Sequence, residues 1–99
     1  MVIVAGYIDM APEERAAFLE GRREAVLATR EEPGCLEYAF SADLLEAGRV
    51  RIFECWASLE ALEAHLGVLA ARTEPGAPAP VLARSLYRYE VADAQPLGA

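Results

Sequence analysis

The chain has 99 residues, enough for one domain over 1–99 with a single hydrophobic core. Its 16 acidic and 9 basic residues give a net charge of −7, which argues against binding to nucleic acid or to an anionic membrane surface. No apolar stretch reaches the ~18–20 residues of a membrane-spanning helix, and the first residues lack the basic start of a signal peptide. We therefore expect a cytoplasmic protein whose two cysteines are thiols.

The pattern of apolar residues predicts six elements in the order β-α-β-β-α-β. The strands are short apolar runs, and the helices begin at capping residues or proline and are followed by prolines and glycines. The segment 73–80 contains three prolines and one glycine and should lack regular structure, and the tail over 92–99 should be loose. The predicted elements cover 2–8, 11 to about 30, 35–42, 49–57, 59 onward and 82–91.

This order is the split βαβ pattern of ferredoxin-like α+β domains, with an antiparallel sheet and both helices on one face. The strands, however, are apolar on both sides. In the third strand, Phe53 and Cys55 lie on one face, while Ile52 and Trp56 lie on the other. Helices on one side would leave the second apolar face uncovered, and a second copy of the chain is the simplest cover. We therefore expect a homodimer formed through the open face of the sheet.

The two cysteines lie on the two strands of the predicted hairpin. A hairpin centred near residue 45 or 46 would place Cys35 and Cys55 opposite, or nearly opposite, each other. In the absence of a bulge they would also share one face of the sheet. We expect them to be close together as thiols.

Three short stretches carry a resemblance to a known family: Glu32-Pro33-Gly34-Cys35-Leu36-Glu37-Tyr38, Phe53-Glu54-Cys55-Trp56 and Leu62-Glu63-Ala64-His65. Together with the element order, they resemble the antibiotic biosynthesis monooxygenase (ABM) domain, a family of small dimeric α/β barrels. The resemblance implies a homodimer whose sheets face each other, and a pocket in each protomer between sheet and helices. Some members of that family oxygenate polycyclic phenols or quinols with O₂ and no metal or flavin, and others degrade haem.

The haem-degrading branch differs from this chain at three places. That branch carries an asparagine on the first strand, a tryptophan on the second helix and an iron-binding histidine further along. Here Tyr7 is the polar first-strand residue, His65 occupies the tryptophan position, and residues 73–76 replace the histidine segment. Family members commonly place a third short helix in that segment, where the prolines here favour a loop. We therefore expect no haem and no other cofactor.

His65 is the only histidine and the candidate catalytic base. On a helical projection it lies on the flank of a stripe of four leucines between 59 and 69, where it could face the edge of a pocket. The alternative is a partly buried packing histidine bonded to the backbone or to a glutamate. Trp56 ends the preceding strand, and it could stack on a planar substrate or serve as an anchor of the core or interface.

Arg22 lies in the middle of the apolar stripe of the first helix, which also contains Phe18. A guanidinium at this position must pair with another group or extend to solvent. It could bridge to Glu37 or Glu54 as a structural ion pair. Alternatively, it could face the pocket and hold a phenolate or carboxylate of a ligand.

We expect one cavity between the helices and the sheet, lined by His65, Trp56, Phe18 and at least one tyrosine. Tyr7 and Tyr38 are the tyrosines predicted to contact a substrate, because a hydroxyl in an apolar pocket could orient a phenol. Ordinary strand propensity is the competing explanation for tyrosines on strands.

The sequence leaves three functions open. The first is a cofactor-independent monooxygenase that uses O₂ to oxidise a small electron-rich aromatic, such as a quinol or an anthrone. The second is a non-catalytic dimer that binds a small aromatic ligand, and the third is isomerase or lyase chemistry on the same fold. No metal site is expected, because one histidine and two widely separated cysteines give no CxxC or HxxxH spacing.

Overall fold

The computed structural model describes residues 1–72 and 80–98, which form a four-stranded antiparallel sheet with helices packed on one face. The predicted ferredoxin-like α+β fold is confirmed. The strands follow one another across the sheet in the order β2-β3-β1-β4, so that β1 and β3 are central. Their bounds are β1 Val2–Asp9, β2 Cys35–Ala42, β3 Arg49–Trp56 and β4 Ala83–Glu90.

The first predicted helix is divided in two. A 3-10 turn over Pro12–Glu14 leads into α1, Arg15–Gly21, and α2 follows as Arg23–Arg30. The backbone departs from helical geometry at Arg22, with φ −89° and ψ −9°, directly after a glycine, which is a poor helix former. The division places Arg22 at the junction of the two helices.

The next helix, α3, spans Leu59–Ala71. Ser58 caps it as predicted, because its hydroxyl accepts a hydrogen bond from the amide of Ala61 at 3.1 Å. The predicted inner face of α3 is wrong at one position. Leu66 is 52% exposed, whereas His65 is completely buried at the centre of the packed face.

A β-bulge at the start of β2 corrects the predicted relation of the cysteines. Along most of the hairpin, residues whose numbers sum to 92 face each other, so Glu37 pairs with Cys55. The register shifts between Cys35 and Glu37, and Cys35 therefore pairs with Trp56. Cys35 packs against the core on the helix side of the sheet. Cys55 is next to Trp56 on β3, so its side chain lies on the opposite face. Both are free thiols, but the bulge places them on different faces.

The core lies between the sheet and the helices in two clusters. The first surrounds Trp56 and the second surrounds Val50, and both side chains are completely buried. Phe40 packs against both clusters and connects them. The other buried members are Val2, Tyr38 and Leu62 in the first cluster, and Ile8, Met10 and Ile52 in the second.

The face of the sheet opposite the helices is open in the protomer and is apolar over part of its area. Register places Ile3, Ala5, Phe53 and Cys55 on this face near the centre of the sheet. On the edge strand, Tyr87 and Tyr89 are exposed there, with their ring centroids 6.4 Å apart.

Residues 91–98 form no helix or strand, as expected of a loose tail. The loop predicted over 73–80 falls almost wholly outside the described residues. In the part of the chain that the structure describes, no helix is long and apolar enough to cross a membrane.

Candidate functional site

The buried imidazole of His65 pairs with the partly exposed carboxylate of Glu32. The His65 Nδ1 atom lies 3.0 Å from Glu32 Oε1 and 3.2 Å from Oε2. Glu32 follows α2 in the turn before β2, and His65 lies in the middle of α3, so the pair joins elements that are distant in the sequence. The second ring nitrogen, Nε2, is buried and has no hydrogen-bond partner among the described residues. A carboxylate that accepts the Nδ1 proton leaves Nε2 as the basic nitrogen.

Trp56 is the largest neighbour of this imidazole. The two ring centroids are 4.8 Å apart at an interplanar angle of 31°, and the tryptophan is completely buried. Its indole Nε1 donates a hydrogen bond to Glu54 Oε1 at 3.0 Å. Trp56 and Glu54 are two residues apart on β3 and therefore share the helix side of the sheet.

Tyr38 and Arg22 complete the group on the side of β2 and the first helices. The Tyr38 ring meets the His65 ring edge-on, with 5.3 Å between centroids. The Arg22 guanidinium lies 5.4 Å from the centroid of the Phe40 ring, within cation–π range. Burial and the charge of Glu54 raise the pKa of the Tyr38 hydroxyl, and the charge and hydrogen bond of Arg22 oppose that shift.

Two acidic side chains therefore lie beside one imidazole in a mostly apolar interior. Burial raises the pKa of Glu54, and the nearby carboxylate of Glu32 adds to the shift. The Trp56 hydrogen bond and His65 act in the opposite direction. The group can hold and move protons, because a histidine and a destabilised carboxyl lie close together.

The structure brings together four of the six predicted site residues: His65, Trp56, Tyr38 and Arg22. Phe18 is more remote, since it stacks on Phe40 at 6.5 Å and packs against the second core cluster. The proposed bridge from Arg22 to Glu37 is wrong, because Glu37 pairs with Cys55 and so lies on the open face of the sheet.

Tyr7 lies on the opposite face of the sheet from His65, so it cannot line the predicted cavity. It pairs with Arg51 and shares the parity of Ile3 on β1, whereas Val2 pairs with Trp56. The Arg49 guanidinium stacks on the Tyr7 ring at 3.6 Å and forms two hydrogen bonds with Asp9. Tyr7 is therefore held in an ionic cluster at the open face.

The predicted cavity around His65 and Trp56 is filled by the side chains themselves. Both residues are 0% exposed, and their rings pack against each other and against Tyr38. A concave surface instead lies alongside α1 and α2, where Arg22 and Phe40 contribute to its wall. These two residues also contact or adjoin Tyr38, so the surface leads to the buried group.

Sequence reasoning missed the roles of Glu32 and Glu54. Nothing local in the sequence connects Glu32 to a histidine 33 residues away. The sequence does indicate that Glu54 is unusual, because it lies on the same face of an apolar strand as Ile52 and Trp56. An acid at such a position needs a partner, and here the indole N–H provides it.

Metal or haem binding has little support in this group. Over 1–72 and 80–98, no three His, Cys, Asp or Glu side chains cluster as metal ligands. The one imidazole is packed between the Trp56 and Tyr38 rings and tied to Glu32. In this packing Nε2 is buried, so neither a haem iron nor a substrate reaches it unless neighbouring side chains move.

The family model for antibiotic biosynthesis monooxygenase matches residues 1–73. The chain belongs to the ABM family. A candidate antibiotic biosynthesis monooxygenase from Deinococcus radiodurans is 27% identical to this ABM protein, with a TM-score of 0.78 and full coverage of both chains. The predicted family is thereby confirmed.

Two further proteins are similar to this chain over part of their length or in fold alone. The uncharacterized protein sll1783 of Synechocystis is 33% identical over 64 residues, which make up 65% of this chain and 44% of that protein. The chain therefore spans less than half the length of this curated relative. MhuD, a haem degrader from Mycobacterium tuberculosis with two haems in its active site, is 18% identical with a TM-score of 0.75, covering 97% of this chain and 100% of its own. At that identity the likeness is one of fold alone.

Proposed function

We propose that the protein is a cofactor-independent monooxygenase that oxidises a small electron-rich aromatic, such as a quinol or an anthrone, with O₂. The observation that carries the proposal is the contact of the buried His65 imidazole with the carboxylate of Glu32. Glu32 takes the Nδ1 side of the imidazole, and Nε2 has no hydrogen-bond partner among the described residues. Nε2 is thus the nitrogen that can accept a proton from a substrate.

The reaction requires the protein to deprotonate the substrate and to exclude water. In an anthrone, a CH₂ group loses a proton to Nε2, and the resulting electron-rich anion reacts with O₂. Loss of water then leaves a carbonyl group, so that one oxygen atom of O₂ enters the product and the other leaves as water. The Glu32 carboxylate stabilises the imidazolium that forms. Trp56 would form the wall against the substrate ring, and Tyr38 with Arg22 would steady the oxyanion.

Access is the main requirement of this mechanism. His65 is completely buried, so a substrate reaches Nε2 only when neighbouring side chains move. The same burial of His65 favours a second candidate function, that of a small-molecule-binding protein. In such a protein the pair of Glu32 and His65 would only hold α3 against the turn before β2. In that case the pair is structural and a ligand binds outside it.

Oxygen uptake with a panel of anthrones and quinols tests the first function. We expect uptake by the wild type and a loss of about 10²–10⁴-fold in His65→Ala, the usual contribution of a general base. His65→Gln is the companion variant, because it keeps a polar side chain of similar reach. An unchanged rate in a folded His65 variant would remove the residue from the mechanism. Absence of uptake by the wild type with every compound would favour the binding function.

We also infer that the protein is a homodimer assembled through the open face of the sheet. The support is the apolar surface formed there by β1, β3 and β4, including the exposed rings of Tyr87 and Tyr89. Isolated soluble domains seldom expose a continuous apolar sheet face. A second copy of the same face provides a self-complementary cover, as twofold symmetry allows.

A further inference from the structure

A cleft of about 370 Å³ lies alongside α1 and α2, above Phe40 of β2. Its volume falls in the lower part of the ~300–1,000 Å³ range of small-molecule sites. Leu19 and Val26 contribute apolar surface next to the Phe40 ring. An apolar wall of this kind suits a planar aromatic ligand.

Three arginines also line the cleft: Arg22, Arg23 and Arg30. Glu20 is the one acidic residue on its wall, and it pairs with Arg23 at 3.4 Å. Both side chains of this pair are at least 70% exposed, so the pair is weak and a ligand carboxylate can compete with it. Arg30 Nε donates to the carbonyl oxygen of Tyr38 at 3.0 Å, a bond that uses one of its five N–H groups.

The local charge of the cleft opposes that of the whole chain. The protein has a net charge of −7 and only 9 basic residues, which disfavours the approach of an anion to most of its surface. Among the described residues on the wall of the cleft, Arg23 and Arg30 nevertheless lie near a single carboxylate, that of Glu20. Guanidinium groups recognise carboxylates by paired, charge-assisted hydrogen bonds.

We propose that the substrate is an aromatic acid, whose carboxylate binds Arg23 and Arg30 at this cleft while its ring lies against Phe40. This inference rests on the proposed function, because it names the substrate class for the group around His65. Two ring contacts connect the cleft at Phe40 to His65. The centroids of Phe40 and Tyr38 are 5.4 Å apart, and those of Tyr38 and His65 are 5.3 Å apart.

The test compares a dihydroxynaphthoate with the dihydroxynaphthalene that lacks its carboxylate. Binding is measured without O₂ from the fluorescence of Trp56, the only tryptophan. We expect the naphthoate to bind about tenfold more tightly or better, as a charge-assisted contact provides. The preference should decrease with added salt, because exposed charges are screened.

Arg23→Gln and Arg30→Gln should each weaken naphthoate binding several-fold and leave the neutral compound unchanged. Glu20→Gln should strengthen naphthoate binding, since it removes the competing carboxylate. Arg88→Gln is the matched control on the exposed edge strand β4, and it should change neither affinity. Equal affinities for the two compounds in the wild type would overturn the inference. So would no binding of either compound, or a preference retained in the Arg23 and Arg30 variants.

The two proposals fail in different ways. A carboxylate preference without oxygen uptake would reject the monooxygenase and keep the aromatic acid as the ligand class. Oxygen uptake with equal affinity for the two compounds would keep the monooxygenase and reject the arginine cleft.

Discussion

The contact between Glu32 and His65 explains why α3 packs with an imidazole at its centre. Leucine periodicity alone places Leu66 inward, but the structure turns it half outward and buries His65. A buried imidazole needs a partner for its N–H, and the carboxylate of Glu32 provides one at 3.0 Å. The contact with Glu32 thus lowers the cost of burying the imidazole, which leucine periodicity alone does not take into account.

The first prediction concerns this pair. Glu32→Ala should lower the free energy of unfolding by about 1–3 kcal/mol, the penalty for an unsatisfied buried polar group. Glu31→Ala is the control, since Glu31 is the exposed neighbour and should change stability by less than about 0.5 kcal/mol. Urea denaturation measures both. Equal stability of the two variants would show that the contact contributes little.

Glu54 gives a pH-dependent prediction. Burial raises its pKa in the folded state above the ordinary value of 4.5. The folded protein therefore binds this proton more tightly than the unfolded chain, and stability is lost as pH rises through the raised pKa. Glu54→Gln keeps an acceptor for the Trp56 indole and removes the titration. Its Tm should exceed that of the wild type at pH 8, and this gain should shrink at pH 4.

The control for this substitution is Glu63→Gln, an exposed position on α3. It should show no such pH-dependent gain. A Glu54→Gln variant that is less stable than the wild type at pH 8 would contradict the assigned cost of burying this carboxylate.

Among the elements, the turn between α2 and β2 requires a glycine at position 34. Gly34 has φ +82°, a region that side chains disfavour. A Cβ atom there would lie 2.6 Å from the Cβ of Ala61 on α3. The carbonyl oxygen of Gly34 also accepts a hydrogen bond from the amide of Ala57 at 2.8 Å. The glycine therefore lets the turn that carries Glu32 approach the helix that carries His65.

Two glycine substitutions should have opposite effects. Gly34→Ala should destabilise the protein by about 1–2 kcal/mol or more, through its positive φ and the contact with Ala61. Gly67→Ala, in the middle of α3, should stabilise it by about 0.5–1 kcal/mol, because nothing lies within 4 Å of the added methyl. Denaturant midpoints compare the two variants. A neutral Gly34→Ala would show that the turn can relax.

In the molecule as a whole, the two faces of the sheet have different roles. The helix side holds the core and the side chains around His65, while the open side carries apolar and aromatic residues of strands β1, β3 and β4. A protomer that leaves this second face exposed to water gains little folding stability from the apolar residues on it. The proposed association of two copies would recover that contribution.

The oligomeric state gives the fourth prediction. Light scattering at micromolar concentration should give twice the mass of the 99-residue chain. Phe53→Asp, on the open face of a central strand, should shift the protein to a monomer because it buries an unpaired charge at the interface. Leu44→Asp is the control, since Leu44 is 94% exposed in the hairpin loop. A wild-type monomer, or a Phe53→Asp dimer, would reject this interface.

Local patterns in the sequence were enough to predict the element order, apart from the division of the first helix, the strand bounds to within one residue, and the two-sided apolar character of the sheet. The predicted β2 range of 35–42 is the observed one, and Ser58 caps α3 as expected. These features are local, because a period of two, a cap or a breaker can be read within a few residues. The sequence did not show the side of Tyr7, because β1 is apolar on both faces and only its pairing with β3 tells which residues face the helices.

Only the tertiary structure decided which residues meet around His65. The bulge that separates Cys35 from Cys55 depends on how β2 pairs with β3. The pairing of Glu32 with His65 joins residues 33 positions apart, and no local pattern records it. Burial sets the pKa of Glu54, and burial is a property of the packed whole. Long-range contacts fix the chemistry of the group because proton affinity depends on the neighbours that packing provides.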